Sequence, residues 1–385
     1  MKICIVTETF PPEINGVAKT LNKVYQYLKQ IGHSVSIVRP RKKGEDKNSI
    51  IPNETIVPSL PIPVYRGLNF GLPCRNRLRK LWQTEQPDII YVATEGPLGL
   101  SAIDVALELE IAVTSGFHTN FHKYMRHYFL PGMAKIAERF LRKTHNRTLS
   151  TFAPTKEVMN QLNKMGVENT RLFGRGVDCD LYNPNKRSSE LRHSLGAKSK
   201  NQIIAIFVSR IAAEKNIPLA IKAFNEIQSK YPDSICVFVG DGPEKVKLEK
   251  MYPNFKFVGM QTGEKLAAYY ASGDLFVFPS ATETFGNVIT EAMASGIVPI
   301  AYNYAAAQEL IDTKYNPFLA EYDNEEDFLI KVNLALEKRS TWPIISRAVR
   351  TKAETLNWIK IVENFAVELK KALIKHNIYK YPNEK

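Results

Sequence analysis

The chain has 385 residues, with a hydrophobic fraction of 44% and a charged fraction of 24%, proportions that are typical of globular proteins. A single hydrophobic core rarely grows beyond about 250–300 residues, so this length predicts two domains. The formal net charge of +13 favours an anionic partner, which could be nucleic acid, a phospholipid surface or a phosphorylated substrate.

The N-terminus and the cysteines indicate a cytoplasmic protein. Only Ile3 to Val6 is apolar before Thr7, which is far shorter than a signal-peptide core or a membrane span. The four cysteines are widely scattered and show no metal-ligand spacing, so we expect them to be reduced and structural, and we expect no metal site.

The first half of the chain opens with a βαβ pattern. Lys2 to Thr7 predicts a buried strand, Val17 to Ile31 an amphipathic helix, and Val35 to Val38 a second strand. This alternation predicts a doubly wound parallel sheet. The turn after the first strand carries one glycine, Gly16, instead of G-x-G-x-x-G, which argues against a dinucleotide cofactor.

A polar run that contains His118 follows the predicted strand Ala112 to Ser115. Ligands of parallel sheets bind beyond the carboxyl ends of the strands, which makes His118 a candidate site residue. An isolated histidine is nevertheless more often a packing or surface residue, so spacing alone favours that simpler interpretation.

The segment from Gly132 to Arg147 predicts an amphipathic basic helix, and two interpretations of it are equally well supported. One face is apolar, and the cations of another face are Lys135, Arg139 and Arg142. Such a helix either packs on the core with its charges in solvent or lies on an anionic membrane surface. The residues of the apolar face are Met133, Ile136, Ala137, Phe140 and Leu141.

The pattern breaks between Arg175 and Pro184, and the polar segment from Lys186 to Asn201 follows. We therefore place the domains at 1–185 and 186–358. The second half then repeats the alternation, with Ile203 to Ser209 as its first strand. Arg210 and Lys215 follow that strand at a spacing where two cations could meet one anion, although the default interpretation of an isolated R-x4-K is a pair of surface bases with Glu214 as a counterion.

The most informative stretch places Glu283 and Glu291 eight positions apart, around the start of a predicted helix. A buried strand ends at Phe278, Gly286 allows close approach of a ligand to the backbone, and the free N–H groups of a helix start favour phosphate. Carboxylates beside a bound anion serve well as acceptors for sugar and ribose hydroxyls. This combination suggests a sugar nucleotide, whereas spacing alone favours two ordinary acids near a helix start.

The segments Phe278-Pro-Ser, Glu283-x-Phe285-Gly286 and Glu291-Ala-Met-Ala-Ser-Gly resemble the E-x7-E signature of family-4 retaining glycosyltransferases. This resemblance implies an α/β protein with the GT-B fold, in which two Rossmann-like domains face each other across a cleft. It also implies that the final helix, about residues 359–385, returns to the first domain. The catalytic residues would be His118, Glu283, Arg210 and Lys215, with no metal and no cofactor besides the sugar nucleotide.

The resemblance further implies a donor site on the second domain. Arg210 and Lys215 resemble the pair that holds the donor diphosphate, and Gly16 resembles the glycine of the family's Pro-Pro-x3-Gly loop beside that diphosphate. Phe257 to Met260 resembles the strand and turn near the nucleobase. The implied donor-binding residues are Gly16, Arg210, Lys215, Val258, Met260, Glu283, Phe285, Gly286, Asn287, Val288 and Glu291. A departure occurs at Tyr304-Ala-Ala-Ala307, where most members carry a glycine pair, so we expect a less open helix start there.

The loop from Phe117 to Phe121, with Tyr124, resembles that of glycolipid-forming members, which implies a hexose transferred to a lipid such as diacylglycerol or phosphatidylinositol. The acceptor and membrane residues would be Tyr124, Lys135, Arg139 and Arg142, on the inner face of the cell membrane. The alternatives are a soluble sugar or glycan acceptor and a non-catalytic sugar-nucleotide or nucleic-acid binding protein. We expect no nucleic-acid partner, because the short basic and aromatic run near Tyr124 adjoins the His118 loop.

Overall fold

The computed structural model describes residues 1–13, 15–42, 52–61, 69–118 and 133–380. The chain divides into two compact units. Unit 1 comprises Met1–Arg175 and Trp358–Lys385, and unit 2 comprises Gly176–Asn357. Each unit is a parallel β-sheet with helices.

Unit 1 contains, within its described residues, a seven-stranded sheet in the order β3-β2-β1-β6-β7-β8-β9, in which every pair is parallel. The remaining two strands form a small antiparallel pair. The strands are β1 Lys2–Val6, β2 Ser34–Pro40, β3 Glu54–Val57, β4 Ser59–Pro61, β5 Asn69–Gly71, β6 Ile89–Val92, β7 Ala112–Gly116, β8 Thr151–Ala153 and β9 Thr170–Leu172.

Alternating side chains of β1 supply the two faces of this sheet. Ile3 and Ile5 join one core cluster, and Cys4 and Val6 join the other, as the two-residue period of a strand requires. A strand covered on both faces reads as a continuous apolar run, which is why Lys2–Val6 was recognisable in the sequence. The helices of this part are α1 Gly16–Gln30, α2 Arg75–Glu85, α3 Pro97–Glu108, α4 Met133–His145 and α5 Lys156–Lys164.

Unit 2 contains a six-stranded parallel sheet in the order β12-β11-β10-β13-β14-β15. Its strands are β10 Ile204–Val208, β11 Ile235–Val239, β12 Lys256–Phe257, β13 Leu275–Phe278, β14 Val298–Tyr302 and β15 Leu319–Ala320. Its helices are α6 Ser189–Ser194, α7 Ile217–Lys230, α8 Lys245–Met251, α9 Gly263–Ser272, α10 Asn287–Ala294, α11 Ala305–Leu310, α12 Glu325–Glu337 and α13 Trp342–Glu354.

The last helix, α14 Trp358–Lys380, belongs to unit 1. Val362, Phe365 and Leu369 pack in the same core cluster as Ile3 and Ile5. The Phe365 ring stacks on Phe173 at 4.3 Å between centroids. The division between units falls after Arg175, earlier than the boundary we placed after residue 185.

The apolar residues of the linker explain that earlier boundary. Val177 and Tyr182 are buried in the core of unit 2, and the N–H of Val177 donates to the carbonyl of Leu356 at 3.1 Å. The turn residues that suggested a linker are thus part of the second unit. Within the described residues, no helix is both long enough and apolar enough to cross a membrane.

Candidate active site

The candidate donor site of unit 2 lies where the strand order reverses. Strand β10 pairs with β11 on one side and with β13 on the other, so the chain winds outward in both directions from this point. Open α/β sheets bind ligands beyond the carboxyl ends of the strands at such a switch point. Arg210 follows β10, and the segment 279–286 follows β13.

Lys215 and Glu283 are in direct contact at this edge. The Nζ of Lys215 donates to Oε1 of Glu283, and the hydroxyl of Ser280 donates to the same oxygen at 2.8 Å. Their side chains are 13% and 17% exposed. We predicted a phosphate contact for Lys215 and a sugar contact for Glu283, and the structure brings these two residues together as an ion pair.

Arg210 is more open than Lys215. Its side chain is 37% exposed, and its Nη1 lies 4.0 Å from Oε1 of Glu214. This contact corresponds to the local counterion that we considered as an alternative, but at that distance and exposure such a pair contributes little to stability.

Gly286 caps the N-terminus of α10 in a left-handed conformation, with φ 91° and ψ 67°. Glycine is suited to this position because an L side chain rarely adopts a φ of that sign. The N–H groups of the first turn of α10, which begins beyond the carboxyl end of β13, carry the positive end of the helix dipole. Of the other predicted donor-binding residues here, Phe285 is buried, and Asn287 and Val288 are half-buried.

Glu291, in the second turn of α10, is buried and held by tyrosines. The hydroxyl of Tyr270 donates to Oε2 of Glu291 at 3.0 Å, and the rings of Tyr270 and Tyr182 lie edge to face at 5.8 Å. Burial raises the pKa of both tyrosines, and the negative charge of Glu291 raises each pKa further. Spacing could not reveal these tyrosines, because they reach α10 from two distant segments of the chain.

The start of α11 is hydrogen-bonded to the segment that precedes α10. The hydroxyl of Tyr304 donates to the carbonyl of Glu283 at 2.7 Å, and the N–H of Ala306 donates to the carbonyl of Phe285 at 2.8 Å. Ala305 has a φ of 50°, in the left-handed region that favours glycine. An alanine here therefore adopts a backbone conformation that favours glycine, the residue that most members of the family it resembles carry in this segment.

The turn that we predicted near the nucleobase follows β12. The N–H of Val258 donates to the carbonyl of Phe238 at 3.1 Å, which fixes the turn against β11. Val258 is half-buried, whereas Met260 is 47% exposed. Because Val258 and Met260 follow β12, they lie at the carboxyl edge of the sheet that also carries Arg210.

Unit 1 has its own switch point, between β1 and β6. Gly16 opens α1 after the cap residue Asn15, whose side chain accepts from the N–H of Ala18 at 2.8 Å. The carboxylate of Glu8 accepts from the N–H groups of Gly71 and, at 3.0 Å, of Leu98 at the start of α3. Burial raises the pKa of Glu8 to about 7. Sequence analysis missed Glu8, whose role depends on a segment of α3 far along the chain.

His118 lies just beyond β7 and is buried. The hydroxyl of Tyr91 is 2.7 Å from its Nε2, and Nη2 of Arg175 is 2.7 Å from its Nδ1. Burial, and secondarily the charge of Arg175, hold the pKa of His118 well below its ordinary value. The side chain is thus engaged within unit 1, and Tyr91 and Arg175 are two neighbours that we did not predict.

A second buried histidine lies at the same edge. Nδ1 of His145 is 2.9 Å from the hydroxyl of Ser115, and Nε2 is 3.1 Å from Oε1 of Glu95. Ser115 also contacts the hydroxyl of Thr148 at 2.8 Å. This network joins the end of α4 to the ends of β6 and β7.

The basic helix α4 differs from the core-facing helix that was one of our two interpretations. Lys135, Arg139 and Arg142 are exposed, but so are two residues of the predicted apolar face, Ile136 at 68% and Phe140 at 44%. Leu141 alone of the residues named for that face is buried among the side chains that the structure describes. Tyr124 lies outside the described residues.

Across the described ranges, no group of three or more His, Cys, Asp or Glu side chains is arranged to hold a metal ion.

Comparison with known proteins identifies the family. Two family models match, Glycosyltransferase Family 4 over residues 14–181 and Glycosyl transferases group 1 over residues 189–353. The GDP-mannose-dependent alpha-mannosyltransferase of Corynebacterium glutamicum is 32% identical over 83% of this chain and 77% of that protein. The alpha-monoglucosyldiacylglycerol synthase of Streptococcus pneumoniae is 28% identical over 99% of this chain and 88% of that protein.

The fold has close structural counterparts. Anabaena Alr3699/HepE in complex with UDP-glucose superposes with a TM-score of 0.76 at 19% identity, covering 96% of this chain and 100% of that one. Together with the sequence matches, this shows that the chain belongs to glycosyltransferase family 4 and is a hexosyltransferase with the GT-B fold. Our prediction of the family and fold is confirmed, and the alternative of a non-catalytic binding protein is wrong.

Proposed function

We propose that this enzyme transfers a hexose, with retention of anomeric configuration, from a nucleoside-diphosphate sugar to a hydroxyl of a membrane lipid. The donor is GDP-mannose or a UDP-hexose, and the acceptor is a lipid such as diacylglycerol or phosphatidylinositol. The observation that carries the proposal is the convergence of Arg210, Lys215, Glu283 and the start of α10 at the switch point of unit 2.

The charged groups of unit 2 suit a diphosphate. In this proposal Lys215, which donates to Glu283, also donates to the leaving phosphate, because a lysine ammonium has three N–H donors. Arg210 and the N–H groups at Gly286 add positive potential on the same side. These groups of the chain itself stabilise the charge that develops on the departing nucleoside diphosphate, so the proposal requires no metal ion and no further cofactor.

Two carboxylates serve different parts of the donor in this proposal. Glu291, deep in the second turn of α10, accepts hydrogen bonds from the ribose hydroxyls. Glu283 lies nearer the phosphate groups and orients the sugar. Because Lys215 and Ser280 both donate to Oε1 of Glu283, that oxygen is a poor covalent nucleophile. We therefore favour front-face attack, in which the leaving phosphate takes the proton of the acceptor hydroxyl.

The acceptor assignment rests on the loop after β7 and on relatives. The pneumococcal relative is named for a diacylglycerol product. The exposed apolar and basic residues of α4 suit a lipid surface that carries such an acceptor. A soluble sugar or glycan precursor remains the alternative. In this proposal the enzyme is cytoplasmic and binds the inner face of the cell membrane peripherally.

A donor and acceptor screen tests the proposal. We expect nucleotide release from GDP-mannose or from a UDP-hexose that rises when vesicles contain diacylglycerol or phosphatidylinositol. The measurement is coupled detection of the nucleoside diphosphate, with phosphatidylcholine vesicles and a soluble alkyl glycoside as parallel acceptors. Stimulation by the glycoside and not by either lipid would contradict the lipid assignment and favour the soluble acceptor.

The membrane part of the proposal predicts a specific loss. Changing Lys135, Arg139 and Arg142 to glutamine should weaken binding to anionic vesicles by about 1 kcal/mol per charge. Each substitution removes the attraction between one cation and the negative surface potential of the lipid. Donor hydrolysis without acceptor should stay unchanged. Vesicle co-sedimentation measures the binding.

The matched control for that variant removes the same charge elsewhere. Lys247, Lys250 and Lys256 are exposed on unit 2, and their change to glutamine should leave vesicle binding near that of the wild type. Equal losses in both triple variants would show a general effect of net charge, and no loss in the first would show that α4 keeps its charges in solvent.

A further inference from the structure

Tyr91, His118 and Arg175 form a chain of buried polar side chains at the carboxyl edge of the unit 1 sheet. They are 0%, 5% and 5% exposed. Tyr91 is the third residue of β6, His118 follows β7, and Arg175 follows β9, so three separate segments converge on one imidazole. Both ring nitrogens of His118 lie 2.7 Å from a neighbour, Nε2 from the Tyr91 hydroxyl and Nδ1 from Nη2 of Arg175.

The chemistry of arginine determines which nitrogen of His118 carries the proton. A guanidinium only donates, so Nδ1 must accept from Arg175 and cannot itself be protonated. A neutral imidazole then carries its hydrogen on Nε2, which donates to the oxygen of Tyr91. Burial lowers the pKa of Arg175 only to about 10, so the guanidinium remains charged at neutral pH.

Arg175 is itself held in place by the backbone. Its Nη1 donates to the carbonyl of Phe173, at 2.6 Å, and to that of Gly174, at 3.1 Å. The guanidinium also lies over the Phe173 ring at 5.0 Å. Its contact with His118 is therefore made by a side chain of fixed orientation.

We propose that Arg175 and Tyr91 are positioning residues that lock His118 as a neutral imidazole in the Nε2–H tautomer. The lone pair of Nδ1 is taken up by Arg175, so His118 cannot serve as a general base, and an imidazolium would face a buried guanidinium. Because both ring nitrogens are engaged by Tyr91 and Arg175, the imidazole at the end of β7 contributes to glycosyl transfer without gaining or losing a proton. This inference deepens the proposed function by specifying how one of its residues acts.

The backbone at Gly116 supports the network. A Cβ at Gly116 would lie 2.3 Å from the Tyr91 hydroxyl and 2.8 Å from Nε2 of His118, so the hydrogen bond occupies the space of a side chain. Among the described residues, further titratable groups beyond these strand ends are Glu8 and the pair of Glu95 and His145. The ring of His145 lies 6.0 Å from that of Phe117. These titratable groups must be followed separately in any titration.

The direct test is nitrogen NMR of the histidine-labelled protein without substrate, so it does not depend on the proposed reaction. The chain has seven histidines, and His118→Asn and His145→Asn spectra assign the two resonances. We expect His118 to show a protonated Nε2 and an unprotonated Nδ1 from pH 6 to 8. A Nδ1–H tautomer, an imidazolium, or a titration within that range would overturn the proposal.

Variants test whether the lock matters to the reaction. Tyr91→Phe removes one hydroxyl, and Gly116→Ala should displace the same hydrogen bond by another route. Each should lower kcat by about tenfold, the usual effect of losing one buried hydrogen bond, with KM for the donor unchanged. Unchanged kcat in both variants would overturn the positioning role.

Arg175→Gln keeps a donor to Nδ1 but removes the charge. The pKa of His118 should then rise, because the cation that lowers it is absent. The pH profile of kcat should acquire an acidic limb that the wild type lacks, and the NMR titration of His118 should follow the same pH range. A profile and titration identical to those of the wild type would contradict the proposal even if the variant is less stable.

Discussion

Replacing both Arg210 and Lys215 by alanine should reduce turnover of the donor by at least about a hundredfold while the fold remains intact. In the proposed site both cations act on charge that develops as the nucleoside diphosphate leaves, so their loss weakens the transition state more than the ground state. Each charged hydrogen bond contributes about 1.5–3 kcal/mol, and two correspond to roughly 10²–10⁴ in rate. The measurement is kcat/KM for the donor, with circular dichroism to verify folding.

The sequence itself offers a matched control for this double variant. Arg347 and Lys352 repeat the R-x4-K spacing on α13 of the same unit, and both are exposed. Their replacement by alanine removes the same charges away from the switch point and should leave kcat/KM within about twofold of the wild type. Retention of full activity in the Arg210 and Lys215 variant would remove the proposed phosphate site.

Lys215 needs one further variant because its loss also leaves Glu283 without its cation. Lys215→Ala combined with Glu283→Gln removes the uncompensated carboxylate. If Lys215 acts on the phosphate, this combination should remain as inactive as the alanine variant. Recovery of activity would show that Lys215 serves only to neutralise Glu283.

Glu291→Ala should chiefly weaken binding of the nucleotide, whereas His118→Ala should chiefly lower the rate. Glu291 lies in unit 2, and in the proposal it contacts the ribose in ground and transition states alike, so the affinity for the bare nucleoside diphosphate should fall by about 10- to 100-fold. His118 lies in unit 1, where its loss leaves that affinity near the wild-type value. Calorimetry with UDP and GDP, together with kcat, separates the two effects.

Tyr270→Phe is the control for the Glu291 variant. It deletes the hydroxyl that orients the carboxylate and leaves the charge in place, so it should weaken nucleotide binding less than Glu291→Ala does. If His118→Ala abolishes nucleotide binding and Glu291→Ala leaves it unchanged, the assignment of donor and sugar contacts to the two units is wrong.

Local patterns in the sequence were enough to predict the elements around the candidate donor site. The apolar run before Pro279, the helix after Gly286 and the position of Glu291 within it follow from strand burial and helical periodicity, which act over a few residues. The parallel sheets follow from the βαβ alternation for the same reason.

Contacts between distant segments could not be predicted in this way. Lys215 meets Glu283 because β10 and β13 are neighbours, which depends on the order of strands in the sheet. The tyrosines around Glu291 and the Arg175 contact of His118 also depend on tertiary packing. The predicted boundary after residue 185 differs from the division between units after Arg175 because turn residues such as Tyr182 also carry apolar surface that a core can bury.

The exposure of Ile136 and Phe140 illustrates a related limit. Helical periodicity identifies an apolar face, but it does not determine whether protein, lipid or water covers it. On α4 that face is partly exposed beside three cations, a feature that the structure alone reveals.

The measurement that tests the proposed reaction most directly is proton NMR of the product formed from the preferred sugar nucleotide and diacylglycerol- or phosphatidylinositol-containing vesicles. We predict a glycolipid whose anomeric proton shows the same configuration as the donor sugar. A product with the opposite configuration would contradict the retaining mechanism. Transfer to a soluble glycoside with no glycolipid formed from either lipid would contradict the lipid acceptor.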